Sequence, residues 1–207
     1  MTNNQYLSKS DFLKYQTCPA YLWAWKSNRE IVPTGMSPDT ERRIEQGVEV
    51  EAYARQLFPD GILVEDRLEE AKKQTNHLVE QGVKTIFQAT VITDDGLLAM
   101  ADILQFENDG WNLYEVKSTT KIKKEHLMDS TFQLVAFETA GYKINSVNLI
   151  HLNKDYLRHG KIEPKKLFVI EKVTESLQEL KGDVMAMTKD AIGFMAKTDE
   201  PKTCSCR

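Results

Sequence analysis

The sequence predicts a mixed α/β domain, and three observations carry that prediction. Apolar residues recur at helical spacing as far as about Gln81, and then alternate as in strands. Two turn signals, Asp94-Asp95-Gly96 and Asn108-Asp109-Gly110, cut the alternating stretch into three strands. A helical pattern closed by Gly141 and a further strand follow. The middle of the chain therefore reads helix, three antiparallel strands, helix, strand.

The elements follow in order. A first helix is predicted over 8–26, capped by Ser8 or Ser10 and rich in aromatic residues (Phe12, Tyr15, Tyr21, Trp23, Trp25). Pro33 to Pro38 interrupts the chain. Pro38-Asp39 opens a second helix that ends near Leu57, ahead of Pro59-Asp60-Gly61. A polar third helix over 66–81 is stopped by Gly82. The three strands cover 84–93, 97–106 and 111–119, and a helix over 124–140 comes next. Two more strands, 145–152 and 166–173, precede a long helix over 174–197 with Thr174 as its cap. With no repeat and no linker, 1–207 reads as one domain: a helical segment 1–37, a core 38–197 and a cysteine-containing tail 198–207.

Composition narrows the function. Of 207 residues, 41% are hydrophobic and 28% charged, the balance of an ordinary folded protein. No apolar run approaches the ~20 residues that span a bilayer. Met-Thr-Asn-Asn-Gln lacks the basic and apolar blocks of a signal peptide, so a cytoplasmic protein without a membrane partner is expected. A net charge of −4 excludes a uniformly basic coat for nucleic acid but permits a local basic groove. Three cysteines, Cys18, Cys204 and Cys206, do not suggest a disulfide framework; they are either incidental or metal ligands.

The chemistry concentrates at a few acids. At ~100° per residue, Ile44, Gly47, Val48, Val50, Ala54, Leu57 and Phe58 fill one arc of the second helix, and Glu51 falls inside it. Glu45 and Glu49 lie outside that arc. A carboxylate on a core-facing stripe is costly unless it reaches water or faces a cation. On the next elements, Leu98, Met100, Asp102, Leu104 and Phe106 share one strand face, and Trp111, Leu113, Glu115 and Lys117 share another. If Asn108-Asp109 forms the tight turn, Asp102 stands opposite Glu115; a bulge at Gly110 would shift this by one residue. Two like charges so opposed repel, and a divalent cation between them reverses the sign. Glu-x-Lys alone is uninformative, since it recurs at Glu70, Glu163, Glu179 and Glu200, but only Glu115 adds a strand and a hairpin partner acid. The blander reading is a salt-bridged patch at a sheet edge, which fits poorly with apolar neighbours on the same face.

Two basic clusters flank these acids. Lys117, Lys121, Lys123 and Lys124 leave the third strand, and Lys154, Arg158, His159, Lys161, Lys165 and Lys166 surround the last hairpin. The second cluster reads equally well as a solvated tip. The first, beside Glu115, points to phosphate contact.

Asp102, twelve residues and then Glu115-Val116-Lys117 together resemble the signature of the PD-(D/E)XK nuclease superfamily, whose core is αβββαβ. More narrowly the chain is similar to the RecB-like exonuclease branch, which includes the CRISPR-adaptation exonucleases, and to an uncharacterised bacterial family of that type. Gly47-Val48-Glu49-Val50-Glu51 matches the Gly-x-x-x-His stretch of that branch, with Glu51 for histidine. Gln133-Leu134-Val135-Ala136-Phe137 matches its Gln-x-x-x-Tyr motif, with phenylalanine for tyrosine. The opening Leu-Ser-Lys-Ser-Asp-Phe-Leu-Lys-Tyr-Gln-Thr-Cys-Pro is similar to the start of the same branch, and the resemblance runs from about Leu7 to Cys206.

The resemblance implies a DNA phosphodiesterase using Mg2+ or Mn2+. Glu51, Asp102, Glu115 and the carbonyl of Val116 would hold metal, Lys117 would act on the nucleophile, and Gln133 would position Lys117 or touch substrate. Many members of the branch also hold an iron–sulfur cluster on four cysteines; Cys18, Cys204 and Cys206 match three, and the fourth is absent. The rival expectation is a catalytically inactive module of the same fold that binds DNA or a protein partner.

Overall fold

The computed structural model of the protein describes residues 5–27 and 37–197. The predicted tail, with Cys204 and Cys206, lies outside the described residues. The chain folds as β1 (Leu7–Ser8), α1 (Lys9–Thr17), α2 (Pro19–Ser27), α3 (Pro38–Arg55), β2 (Ile62–Leu63), α4 (Leu68–Glu80), β3 (Thr85–Ile92) and β4 (Leu97–Glu107). It continues as β5 (Gly110–Lys117), α5 (Lys124–Thr139), β6 (Ile144–Leu152), α6 (Pro164–Leu167), β7 (Phe168–Lys172) and α7 (Thr174–Met195). The αβββαβ core, the extra N-terminal helices and the long C-terminal helix are all present. This is the mixed α/β architecture expected from the sequence.

One mixed sheet of 7 strands forms the centre, in the order β2-β3-β4-β5-β6-β7, with β1 pairing with β4. The β3–β4–β5 meander and the β6–β7 pair are antiparallel, whereas β5–β6, β2–β3 and β1–β4 are parallel. One sheet face carries the main core, where Leu7, Phe12, Leu22, Ala71, Leu104, Leu113, Phe132, Leu149, Leu177 and Val184 pack together. The opposite face carries a smaller cluster of Ala54, Phe87, Ile103, Ile150 and Phe168 beneath α3. Helices thus cover both faces.

Local chemistry explains most boundaries. Asn108 and Asp109 both take positive φ (51° and 57°), the two-residue hairpin geometry whose twist suits the flanking strands. Asn145 closes over this turn, its amide donating to the carbonyls of Glu107 (2.8 Å) and Asn108 (3.2 Å). A Cβ at Gly110 would collide with that amide, so any larger residue there would have to displace the Asn145 side chain from the turn. Glu107 therefore pairs with Gly110 and Ile103 with Tyr114, without a shift at the turn.

Three expectations need correction. The first helix is split in two at Cys18, because Pro19 offers no N–H to continue it. On α3, Ile44 and Val48 are 51% and 64% exposed, so the apolar arc is covered only from Val50 onward. On β4 the alternation changes partway. Ala99 and Ala101 join Leu104 in the main core, Met100 is 51% exposed, and Ile103 faces the smaller cluster. The cause is a kink at Gln88, whose φ is 55°. Opposite it, Ile86 pairs with Leu104 and Ala89 with Ala101, so both strands change face together, with Asp102 at the break.

Candidate active site

Asp102 and Glu115 meet where β4 and β5 part. Their last ladder pair is Ile103 with Tyr114, and one step further the Asp102 carboxylate fills the gap, with Oδ2 accepting from the N–H of Val116 at 2.7 Å. Val116 thus offers Asp102 its amide. Glu115 continues the face of Leu113 into the core and is 3% exposed. Its Oε1 receives Lys117 Nζ at 2.9 Å and Lys9 Nζ at 2.7 Å, and its Oε2 receives Gln133 Nε2 at 2.5 Å. Lys117 also reaches Asp129 Oδ2 at 2.9 Å, and Gln133 also donates to the carbonyl of Met100 at 3.0 Å. Both partners project from α5.

Glu51 reaches the same place from the other side of the sheet. Gln88 Nε2 donates to Glu51 Oε1 at 2.5 Å and to Asp102 Oδ1 at 3.3 Å, bridging the two acids. Arg55, one turn along α3, pairs with Glu51. The left-handed backbone at Gln88 is what turns its amide toward both carboxylates. Glu49, one residue pair earlier on α3, is exposed.

Charge accounting describes the cluster. Two ammonium groups, Lys9 and Lys117, face three carboxylates, Asp102, Glu115 and Asp129. One negative charge is in excess. Burial, then repulsion by Glu115 and Glu51, pushes Asp102 up to about 8 despite Lys9 nearby. Burial acts on Glu115 in the same sense, but Lys9 and Lys117 outweigh it and hold the carboxyl at about 2. Lys117 is desolvated too, yet Glu115 and Asp129 hold its ammonium above the ordinary lysine range. Burial and like charge thus bias Asp102 toward its protonated form.

An open cleft of about 690 Å³ borders Asp102 and is lined by Lys9, Glu65, Asp66, Arg67, Gln88 and Met100 among others. The β5–α5 loop, with Lys121 and Lys123 and followed by Lys124 at the start of α5, leaves the sheet next to the β6–α6 loop. Both begin at the same sheet end, since Lys117 pairs with His151 in parallel register and the Leu152 N–H donates to the Thr119 carbonyl at 2.9 Å.

Sequence reading missed Lys9, Arg55, Gln88 and Asp129. Lys9 stands inside the quoted opening motif; for the other three no local signal exists. Phe137, by contrast, is fully buried and packs edge-on to Tyr142 at 5.4 Å, in the core rather than in the cluster. Cys18 is buried at the end of α1 and is disulfide-bonded, against the expectation from the cysteine count. A disulfide sulfur is not a free thiolate ligand, so Cys18 does not serve here as the expected cluster ligand, and Cys204 and Cys206 lie outside the described residues.

No protein-family model matches the chain. The uncharacterized protein UU173 of Ureaplasma parvum serovar 3 is 31% identical over 86 residues, which are 42% of this chain. The chain spans only 12% of that relative's length. Among solved structures, the exonuclease LHK-Exo in complex with dAMP superposes with a TM-score of 0.50 and 13% identity, over 93% of this chain and 91% of that one. A second structure of that alkaline exonuclease, from Laribacter hongkongensis, gives 0.45 and 12%, over 92% of this chain and 91% of that one. The likeness establishes the fold. Among the described residues no helix is long and apolar enough to cross a membrane.

Proposed function

We propose that the protein is a divalent-metal-dependent DNA phosphodiesterase of the RecB-like type, acting as an exonuclease on DNA ends in the cytoplasm. The observation that carries this reading is the Asp102–Glu115–Lys117 cluster, assembled on diverging strands of a nuclease fold beside an open cleft. Three carboxylates gathered around two lysines, with Asp129 Oδ1 and Gln133 Oε1 buried without hydrogen-bond partners among the described residues, favour a further cation there. The fold's likeness to an exonuclease that binds dAMP supports the same conclusion.

Mg2+ or Mn2+ is the fitting cofactor by donor chemistry. Asp102, Glu115, Glu51 and the Val116 carbonyl are hard oxygen donors. Asp129 Oδ1 and Gln133 Oε1, buried beside them, have no hydrogen-bond partner among the described residues, as is found where an ion or water belongs. No three acidic, histidine or cysteine side chains among the described residues converge on one point, so the donors must rearrange to bind. When bound, the metal would supply an activated water and neutralise charge on phosphate oxygens. Lys117, held between Glu115 and Asp129, orients the nucleophile and stabilises the transition state. Gln133 fixes Glu115, and the basic loops beside Lys117 hold the DNA backbone.

The rival is a module of this fold that binds DNA without cutting it. It gains support from Lys9 and Lys117, which already satisfy Glu115. Incubating the protein with single- and double-stranded DNA, with Mg2+, Mn2+ or EDTA, separates the two. Metal-dependent shortening of DNA from an end supports the nuclease; retention of intact DNA under every condition supports the binding module.

A further inference from the structure

We propose that Lys9 is an exchangeable counter-cation of the site: it neutralises Glu115 until a divalent metal is taken up, then releases Oε1 and holds the substrate phosphate in the cleft. The inference rests on the nuclease reading and extends it to a residue outside the acid–acid–lysine signature.

The backbone of Lys9 is fixed from three sides. Leu7, fully buried, pairs with Leu97 on β4. Ser8 caps α1 in a reciprocal box with Asp11, the Ser8 hydroxyl donating to Asp11 Oδ2 at 2.6 Å. Asp11 is clamped in turn by Lys26 at 2.7 Å, an ion pair whose side chains are only 3% and 5% exposed. Such a pair is expensive to bury and holds geometry rather than adding stability. Phe12 completes the anchoring, stacked on Phe132 at 5.2 Å. So much fixing of one helical turn delivers one side chain, Lys9, to an acid 106 positions away.

The two lysines on Glu115 differ in how they are held. Lys117 has a second carboxylate, Asp129, and its side chain is 16% exposed. Lys9 has no partner but Glu115 among the described residues, and its side chain is 33% exposed along the cleft that Asp102 also lines. Loss of Glu115 Oε1 would leave Lys117 paired and Lys9 unpaired. Its flexible four-carbon stem can then turn into the cleft, where an anionic phosphate restores a partner. Uptake of a divalent ion by these three carboxylates and two lysines turns one excess negative charge into one positive charge, which favours an anion beside it.

The test is Mn2+ binding by the full chain without nucleic acid, read from the free-ion electron paramagnetic resonance signal, alongside single-turnover DNA cleavage. Lys9→Gln should bind Mn2+ roughly tenfold more tightly, because the competing ammonium is gone, and cleave about a hundredfold more slowly. Lys9→Arg should bind Mn2+ more weakly than wild type, since a guanidinium clasps the carboxylate in two places. That variant decides the matter if Lys9→Gln fails to fold. Unchanged or weaker Mn2+ binding by a folded Lys9→Gln would overturn the exchange, and tighter binding with unaltered cleavage would overturn the phosphate role. A wild-type chain that neither binds Mn2+ nor cleaves DNA would instead end the nuclease reading itself.

Discussion

The acidic cluster has two halves that solve the same electrostatic problem differently. Around Glu115, on the α5 side, charge meets charge: two lysines and an amide saturate a carboxylate that is 3% exposed. Around Asp102, on the cleft side, only neutral donors serve, a backbone N–H and the Gln88 amide, while Glu51 on the far side of Gln88 is paired with Arg55. The first half is held by formal charge. The second is left short of positive charge and is the half where a cation gains most.

The largest effect that would sharpen this contrast is on cleavage. Asp102→Asn, Glu115→Gln and Lys117→Ala should each lower metal-dependent DNA cleavage by about a thousandfold or more. A gel assay showing wild-type rates for Asp102→Asn would end the proposed chemistry. Stability should then separate the halves. In EDTA, Glu115→Gln leaves Lys9 and Lys117 without their shared partner and should cost about 3–5 kcal/mol. Asp102→Asn removes a carboxyl that is repelled by its neighbours, and urea midpoints should hold or rise. Repulsion read from sequence predicts relief at both positions, so equal midpoints for the two variants would break the comparison.

The pH dependence is smaller and has opposite signs in the two halves. Asp102, raised to about 8, keeps a proton in the folded state that the unfolded chain releases near 4. Metal-free stability should therefore fall as pH rises from about 4 to 8, and Asp102→Asn should flatten that slope. Glu115, held at about 2, contributes stability that is lost as pH falls from about 4.5 through 2. Denaturation in EDTA at a series of pH values reads both limbs. The smallest effect belongs to Gln88→Gly, which relieves a left-handed backbone and should hold or gain about 1 kcal/mol. Cleavage should drop all the same, because the amide between Glu51 and Asp102 is gone.

What could be read from sequence follows the range of the interaction. The register leading to Asp102 and Glu115 was legible because a two-residue turn at Asn108-Asp109 fixes it from Glu107–Gly110 to Ile103–Tyr114, but the ladder ends there and the two acids do not form the expected pair. Glu115 and Lys117 shared a face by period two alone. The α3 arc was overread: periodicity reports which residues share a side, and nothing local says that the first turns of α3 extend past the sheet. Strand alternation failed at Asp102 because the kink lies on the partner strand, at Gln88. Lys9, Asp129 and Gln88 join through tertiary contacts and carry no motif of their own, while Gln133 was placed by resemblance rather than by pattern.

The short strand β1 has a kinetic consequence. It closes a long loop by docking the start of the chain on β4, and the same closure brings Lys9 to Glu115 across 106 positions. Loops of that length give up chain entropy before any contact repays it, and contacts so distant in sequence form late. The acidic cluster draws on residues from Lys9 to Gln133, so an emerging polypeptide that has released only its first four strands has Lys9, Glu51, Gln88 and Asp102 but not Glu115, Lys117, Asp129 or Gln133. The cluster can therefore be assembled only once α5 has emerged, and a chain released no further than β4 lacks it.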